Sequence, residues 1–321
     1  MFECKKKDGQ MSGQQGPVNY LLYNMHRLRQ LGAVLIQAVA AAAVLSSPAV
    51  TAAETEPALT GATLLQRCAS KYPGEDQRSR FTVLLRDAKG NVKKSEYLRV
   101  WKDFKGKDGV ADKMILFTIY PPAAKGASFM RVGYVPAVKK NVDQWIYLPV
   151  LKKIRRVSIR NPSDSFLNSN LTYADVGQRA LEMDTHKYMG IRDIKGNKYY
   201  VVESIPKEAN PQYGKRVFWF DKGKNEDWSQ CVNVRIDYYD QGGDLLKEQF
   251  IKWQQVGTAW VWDRVLVRNV RTKTASVFQV AGVAINTGLE DDLFSERTLV
   301  KGPASVPPME KNNKKDKPAV K

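Results

Sequence analysis

Between residues 81 and 280, hydrophobic and polar residues alternate in short runs separated by turn-forming residues. Period-two alternation puts successive side chains on opposite faces of a strand. Phe81–Arg86 and Val92–Phe104 flank Lys89-Gly90-Asn91 and read as a hairpin. Met114–Tyr120 stops at Pro121-Pro122, and Ser128–Tyr134, Asp143–Leu148 and Ile154–Ile159 follow. Later runs are Lys198–Ile205, Arg216–Asp221 and Val232–Asp240. The turn Gln241-Gly242-Gly243-Asp244 leads into Leu245–Trp253, and Trp260–Thr272 and Thr274–Val280 complete the set. About a dozen strands with short connections predict an antiparallel sheet or barrel. No strand–helix–strand alternation appears, which argues against a doubly wound fold.

Helices are few. Thr60 is a candidate N-cap, with Leu64, Leu65 and Cys68 on one face, and Tyr72-Pro73-Gly74 ends that helix. Leu171–Leu181 reads as a short central helix. Thr287-Gly288-Leu289-Glu290 fits a capping box ahead of Asp291-Asp292-Leu293-Phe294. Asp184-Thr185-His186-Lys187-Tyr188 reads as a polar loop entering a strand.

The first 53 residues read as a leader outside the fold. Met25-His26-Arg27-Leu28-Arg29 is a basic start, Gly32 to Leu45 is almost wholly small or apolar, and Val50-Thr51-Ala52-Ala53 supplies small residues for cleavage. The apolar run is short of the ~20 residues that span a bilayer. Cleavage is expected after Ala53, or one residue earlier; an uncleaved anchor is the alternative. Residues 1–24 are polar, and Met25 is the expected true start, an N-terminal extension being the other possibility. Glu54 rather than cysteine follows the cut, so no lipid anchor is expected there. These features predict a periplasmic or extracellular location. Residues 54–300 read as one continuous domain, and 301–321, Pro-rich with six lysines, as a disordered basic tail.

Composition narrows the chemistry. The 321-residue chain carries a net charge of +18 and holds three cysteines and two histidines. So few cysteines exclude a disulfide scaffold, and so few histidines exclude a histidine-built metal site. Past the leader, Cys68 and Cys231 remain, either as a disulfide or as two buried thiols. His186 is the remaining histidine and reads as structural; an exported hydrolase would have to use it or a carboxylate pair. Asp291 and Asp292 are better explained by a helix N-terminus than by acid–base work. No phosphate-binding loop, dinucleotide fingerprint or zinc-protease motif occurs. The expectation is no catalysis, no metal and no cofactor. The basic residues are dispersed, including Lys139-Lys140, Lys152-Lys153 and Arg155-Arg156, and in an exported chain they predict contact with an anionic membrane surface rather than nucleic acid.

Aromatic residues recur at alternate strand positions: Tyr97 with Trp101, Trp145 with Tyr147, Phe218 with Phe220, and Trp260 with Trp262. Each spacing places a pair on one sheet face. An apolar face this large needs a cover or a ligand, and the shortage of helices favours a lined cavity over a filled core.

Asp143-Gln144-Trp145-Ile146-Tyr147-Leu148-Pro149, Leu151 to Val157 and Asp164-Ser165-Phe166-Leu167-Asn168-Ser169-Asn170-Leu171-Thr172-Tyr173-Ala174-Asp175 together resemble the LolA-like outer membrane lipoprotein-sorting family of Gram-negative bacteria. Tyr238 to Lys247 and Leu289 to Leu299 resemble it too, so the likeness spans roughly residues 60–300. The resemblance implies a mainly β fold with a few helices: an incomplete antiparallel β-barrel of about eleven strands, with helices covering an apolar cavity. It implies a periplasmic carrier that holds a lipid or lipoprotein acyl chain between inner and outer membrane. It further implies an inner-membrane RND/MMPL-type exporter and an outer-membrane acceptor as partners; an exporter accessory subunit without lipid cargo is the alternative. The family's lid arginine has no counterpart in this sequence. Expected cavity or mouth residues are Trp101, Trp145, Tyr147, Phe166, Leu167, Tyr173, Trp219 and Trp262. Arg155 and Arg156 are the expected head-group or membrane contacts.

Overall fold

The computed structural model describes residues 59–69, 71–157, 163–177, 179–223 and 227–307. The expected leader lies outside them, as do residues 308–321 of the expected tail.

The chain enters through helix α1 (Gly61–Ala69) and then forms a single antiparallel sheet of thirteen strands, two more than the resemblance implies. Its first half contains β1 (Asp76–Arg86), β2 (Val92–Asp103), β3 (Val110–Tyr120), β4 (Ser128–Tyr134), β5 (Asp143–Leu148) and β6 (Lys153–Val157). Its second half contains β7 (Asp184–Ile194), β8 (Asn197–Pro206), β9 (Lys215–Asp221), β10 (Asn233–Tyr239), β11 (Leu245–Val256), β12 (Ala259–Asn269) and β13 (Ala275–Ile285). Helix α2 (Tyr173–Val176) lies between the halves and α3 (Glu296–Lys301) follows the last strand.

Each half is a meander of hairpins, and the halves join where the first and last strands pair. Phe81 stands opposite Val280, and Val83 opposite Phe278. The strand order is therefore β6-β5-β4-β3-β2-β1-β13-β12-β11-β10-β9-β8-β7, with β6 and β7 as unpaired edges. The two edges are consecutive in sequence, and the connection of residues 163–177 and 179–183 lies between them in the chain. A twisted sheet this wide curls, and this connection runs across its inner face.

Three apolar clusters follow from strand parity. The main one lies on the inner face, where Phe81, Val83, Leu116, Val265 and Phe278 meet Phe166 and Leu171 of the connection. A second lies on the outer face of β2–β6, where Val100, Ile115, Phe117 and Met130 are covered by Leu289, Leu293, Phe294 and Leu299. In the third, Leu64, Leu65 and Cys68 of α1 pack on Tyr200, Val202 and Phe220 of β8 and β9. Gly61 lets α1 approach β7 closely, since a Cβ there would sit 2.8 Å from the His186 carbonyl carbon.

Several expectations change. Asp184–Ile194 is a full strand, not a loop entry: a bulge between Tyr188 and Ile191, with Gly190 at φ 87°, breaks the alternation that would have revealed it. The central helix shrinks to Tyr173–Val176 because Gly177 leaves it in an extended conformation. Thr287 caps no helix. Its backbone N–H and hydroxyl, with the N–H groups of Gly288 and Leu289, donate to the buried Asp76 carboxylate. Burial pushes the Asp76 carboxyl up, but these hydrogen bonds outweigh it and hold it below the ordinary value. Packing also continues past residue 300: Val306 is buried in the outer cluster and Arg78 donates to the Pro307 carbonyl.

Cys68 and Cys231 form a disulfide, with Cα atoms 5.0 Å apart, that ties α1 to the segment entering β10. It closes a long loop in the unfolded chain, which stabilises the fold by about 2–4 kcal/mol. The Cys68→Ser/Cys231→Ser double variant is expected to lose about that much stability in denaturant titrations without reductant, and adding reductant should bring the parent protein toward the variant's midpoint. Identical midpoints without reductant would show that the bridge does not hold α1.

Candidate functional site

Parity along β9 puts Phe218 and Phe220 on the inner face, beside the inner row that runs through Ile236 and Tyr238 on β10. On the opposite side of the same concavity, Trp101 of β2 faces Gln77 and Met114. Helix α1 and the connection close over the space between. The result is a cavity of about 620 Å³. Its apolar wall includes Leu65, Ala69, Trp101, Phe218 and Ile236. Its polar wall includes Asp112, Asp175, Arg179, Asp184, His186 and Arg216. The space is therefore lined by both apolar and charged groups, more polar than the resemblance implies.

The connection is held by a buried polar clasp. Thr172 caps α2 by accepting from the Asp175 N–H, while Asp175 accepts from the Thr172 N–H. The same Asp175 carboxylate accepts from Lys247 Nζ at 2.5 Å and from the Tyr213 hydroxyl at 3.0 Å. Lys247 also donates to the Asn170 carbonyl, and Ser276 accepts from the Asn170 N–H. Burial lowers the Lys247 pKa, opposed by the Asp175 charge, and burial raises that of Tyr213. On the apolar side of the clasp, Phe166 stacks on Phe278 and meets Tyr173 edge-on. Leu167 and Asn168 adopt left-handed backbone at φ 52° and 57°, strained for non-glycine residues, to carry the chain round this anchor.

At the far end of the connection, Asp184 binds both Arg179 and Arg216. His186 uses both ring nitrogens, one with Ser204 Oγ at 2.7 Å and one with the Leu181 carbonyl at 2.8 Å. Ser204 is fully buried and is not among the residues lining the cavity, so this serine–histidine pair fastens β7, β8 and the connection and does not present a hydroxyl to the cavity. Among the described residues no cluster of acidic, histidine or cysteine side chains has the arrangement of a metal site.

The residues expected at the site divide by face. Trp101 lines the cavity. Phe166, Leu167 and Tyr173 belong to the connection that covers the inner face. Trp262 pairs across β11 and β12 with Trp253 and packs against the main cluster. Trp145 and Tyr147 face the other way, into the outer cluster under α3. Trp219 also faces outward, because it alternates with Phe218 and Phe220, and its indole donates to Asp237. Arg155 and Arg156 are neighbours on an edge strand and so point to opposite faces. Arg155 stands opposite Ile146 of the inner row and is exposed. Arg156 lies over Trp145 and pairs with Asp143.

The expected list did not include Arg99, Arg131, Gln144, Asp175 and Lys247. Arg99 could be found by the same spacing that paired Tyr97 with Trp101, since it lies between them on one face.

Residues 110–301, more than half of the chain, match a family model described as "Uncharacterized protein". The chain belongs to that family. A domain from Vibrio parahaemolyticus, provisionally named as an outer membrane lipoprotein-sorting protein domain, is similar in structure, with a TM-score of 0.61 and 24% identity over 75% of this chain and 98% of that one. A DUF1329 family protein from Desulfovibrio piger gives a TM-score of 0.61 at 21% identity over 74% of this chain and 95% of that one. A LolA superfamily protein from Nitrosomonas europaea gives 0.54 at 16% identity over 75% of this chain and all of that one, a coverage of 100%. At these identities the likeness establishes the fold, which is LolA-like: mainly β, with a large open antiparallel sheet and few helices. No curated protein matches the chain.

Asp143 accepts from Lys140, Tyr134 and Arg156. Burial pushes its carboxyl up, but these hydrogen bonds dominate and hold it at about 2, below its ordinary 3.8. A carboxyl depressed in the folded state stabilises the fold above the unfolded pKa, and that stability is lost as pH falls through the folded one. The contribution is therefore full above pH 4 and falls away toward pH 2. An Asp143→Asn variant should show a flatter loss of stability over that window than the parent protein; parallel curves in acid-denaturation titrations would exclude the cluster as the cause.

Proposed function

We propose that this chain is a periplasmic carrier that holds the acyl part of a lipid or lipoprotein in the inner-face cavity and moves it between inner and outer membrane. The observation that carries this reading is the cavity itself. Its volume falls in the range of ligand sites, and two of its walls, α1 and the connection, lie over an apolar wall built from Trp101, Phe218 and Ile236. The LolA-like fold supports it, as does likeness to a domain described as lipoprotein-sorting.

Burying an acyl chain yields about 0.8 kcal/mol per methylene, so a sixteen-carbon chain gives on the order of 12 kcal/mol gross. A carrier must also release its cargo. Displacing α1 or the connection to admit the chain offsets part of that gain and brings net affinity into a reversible range. Among the described residues no helix is long and apolar enough to cross a membrane. An RND/MMPL-type exporter as donor and an outer-membrane acceptor complete the proposal. The alternative, an accessory subunit that holds no lipid, draws on the connection: Phe166, Leu171 and Tyr173 already cover β1, β12 and β13, leaving that part of the inner face a filled core.

Native mass spectrometry of protein taken from a Gram-negative periplasm, with lipid extraction alongside, separates the two. The expected result is one lipid per chain, reduced in an Ala69→Trp variant whose new ring projects from α1 into the cavity. A bare mass that stays bare after incubation with membrane lipids favours the accessory subunit.

A further inference from the structure

A buried polar patch interrupts the apolar inner face beside the cavity. Ser79 on β1 stands opposite Arg99 on β2, and Arg131 on β4 stands opposite Gln144 on β5. Met114 and Leu116 of β3 link the two pairs. Cross-strand partners share a face, so the four polar side chains converge on one region of it.

The charges in this patch are unequally paired: the carboxylates of Asp112 and, opposite it on β2, Asp103 lie toward the cavity. Arg131 pairs with Asp112 at 2.5 Å. Arg99 donates to the neutral Gln77 Oε1 at 2.6 Å and makes no ion pair among the described residues. Burial pulls the Arg99 guanidinium down to about 10, with Asp112 opposing and Arg131 adding to the effect, so it stays charged at neutral pH. Arg99 is half-buried, and a charge withdrawn from water without a matching one is costly. Four buried polar atoms here also lack a partner: Ser79 Oγ, Arg131 Nε and both amide atoms of Gln144. The Tyr173 hydroxyl neighbours that amide without forming a hydrogen bond of proper geometry. A guanidinium with no ion pair, together with unused donors, is the complement of an anion with several acceptor oxygens. The patch adjoins the cavity, because Asp112 and Trp101, the cross-strand neighbour of Met114, both line it.

We infer that Arg99, Arg131 and Gln144 bind the anionic head, a carboxylate or phosphate, of a ligand whose apolar chain occupies the cavity. The inference rests on the carrier reading and narrows its cargo to acidic amphiphiles.

The test is calorimetric titration of the full chain with palmitate, hexadecyl phosphate, hexadecanol and inorganic phosphate. The two acidic chains should bind about tenfold or more tighter than hexadecanol, as expected for charge-assisted hydrogen bonds. Arg99→Met should erase that preference and leave hexadecanol affinity unchanged. Gln144→Leu, which removes no charge, should reduce the preference and serves where Arg99→Met does not fold by circular dichroism. Equal affinity for hexadecanol and the acidic chains overturns the inference and leaves the carrier intact. Inorganic phosphate bound as tightly as hexadecyl phosphate overturns the assignment to a chain-bearing ligand. Failure of every chain-bearing probe to bind overturns the carrier reading, and the inference with it.

Discussion

The pairing of β1 with β13 is the constraint on which the inner face depends. Had the ends of the sheet been the ends of the chain, the sheet could have been a simple meander with a free inner face. Because the first and last strands pair in its middle, the edges fall at β6 and β7, which follow one another in sequence. The described connection, from residue 163 onward, packs on the concave face, and its buried backbone groups need partners there. The strand-to-strand connection and α1 therefore become the two walls that turn an open, curled sheet into a partly enclosed space.

These two walls are fastened by different physics at different places. The disulfide joins α1 to the entry of β10. The connection is held by the Lys247–Asp175 pair, buried on both sides. A buried ion pair adds little net stability compared with apolar packing, but it is strict about geometry, because either partner alone would be an unmatched buried charge. Asp175 caps α2 and binds Tyr213 as well, so one carboxylate fixes the helix, the clasp and the polar wall of the cavity together. Phe166 and Phe278 supply the apolar burial that the clasp does not.

Strand alternation made most of the sheet legible from sequence, because a half-buried strand writes its two faces into its residues. β7 escaped because the Gly190 bulge shifts its parity partway along. The distinction between inner and outer aromatics also escaped. Spacing shows that Trp145 and Tyr147 share a face, but which face depends on the register of β5 against β4 and on α3, whose position is set far along the chain. Trp219 shows the same limit within one strand, since choosing Phe218 and Phe220 as inward commits it outward. The Cys68–Cys231 bridge and the Lys247–Asp175 clasp join residues far apart in sequence, and no local pattern encodes them. The capping signature at Thr287 was real chemistry with another partner: Asp76 offers a buried carboxylate to the same N–H groups that a helix start would have left free.

The two halves of the sheet are covered unequally, and that bears on how a ligand would be held. On the β2–β6 half, the outer face is sealed by the α3 segment, whose Leu299 carbonyl accepts from the buried Ser128 hydroxyl. The side chains of Arg99, Arg131 and Gln144 project inward from strands that are thus braced from behind. The second half is different, for its inner face is covered by α1, a helix of nine residues pinned through Cys68 near its C-terminal end. A polar head needs fixed donors, since the strength of charge-assisted hydrogen bonds depends on their direction. An acyl chain needs only apolar contact, which tolerates a wall that shifts. The braced half, with Arg99, Arg131 and Gln144, matches the first requirement; the helix-covered half matches the second along Leu65, Phe218 and Ile236, beside the polar groups of Asp184, His186 and Arg216 that line the same side.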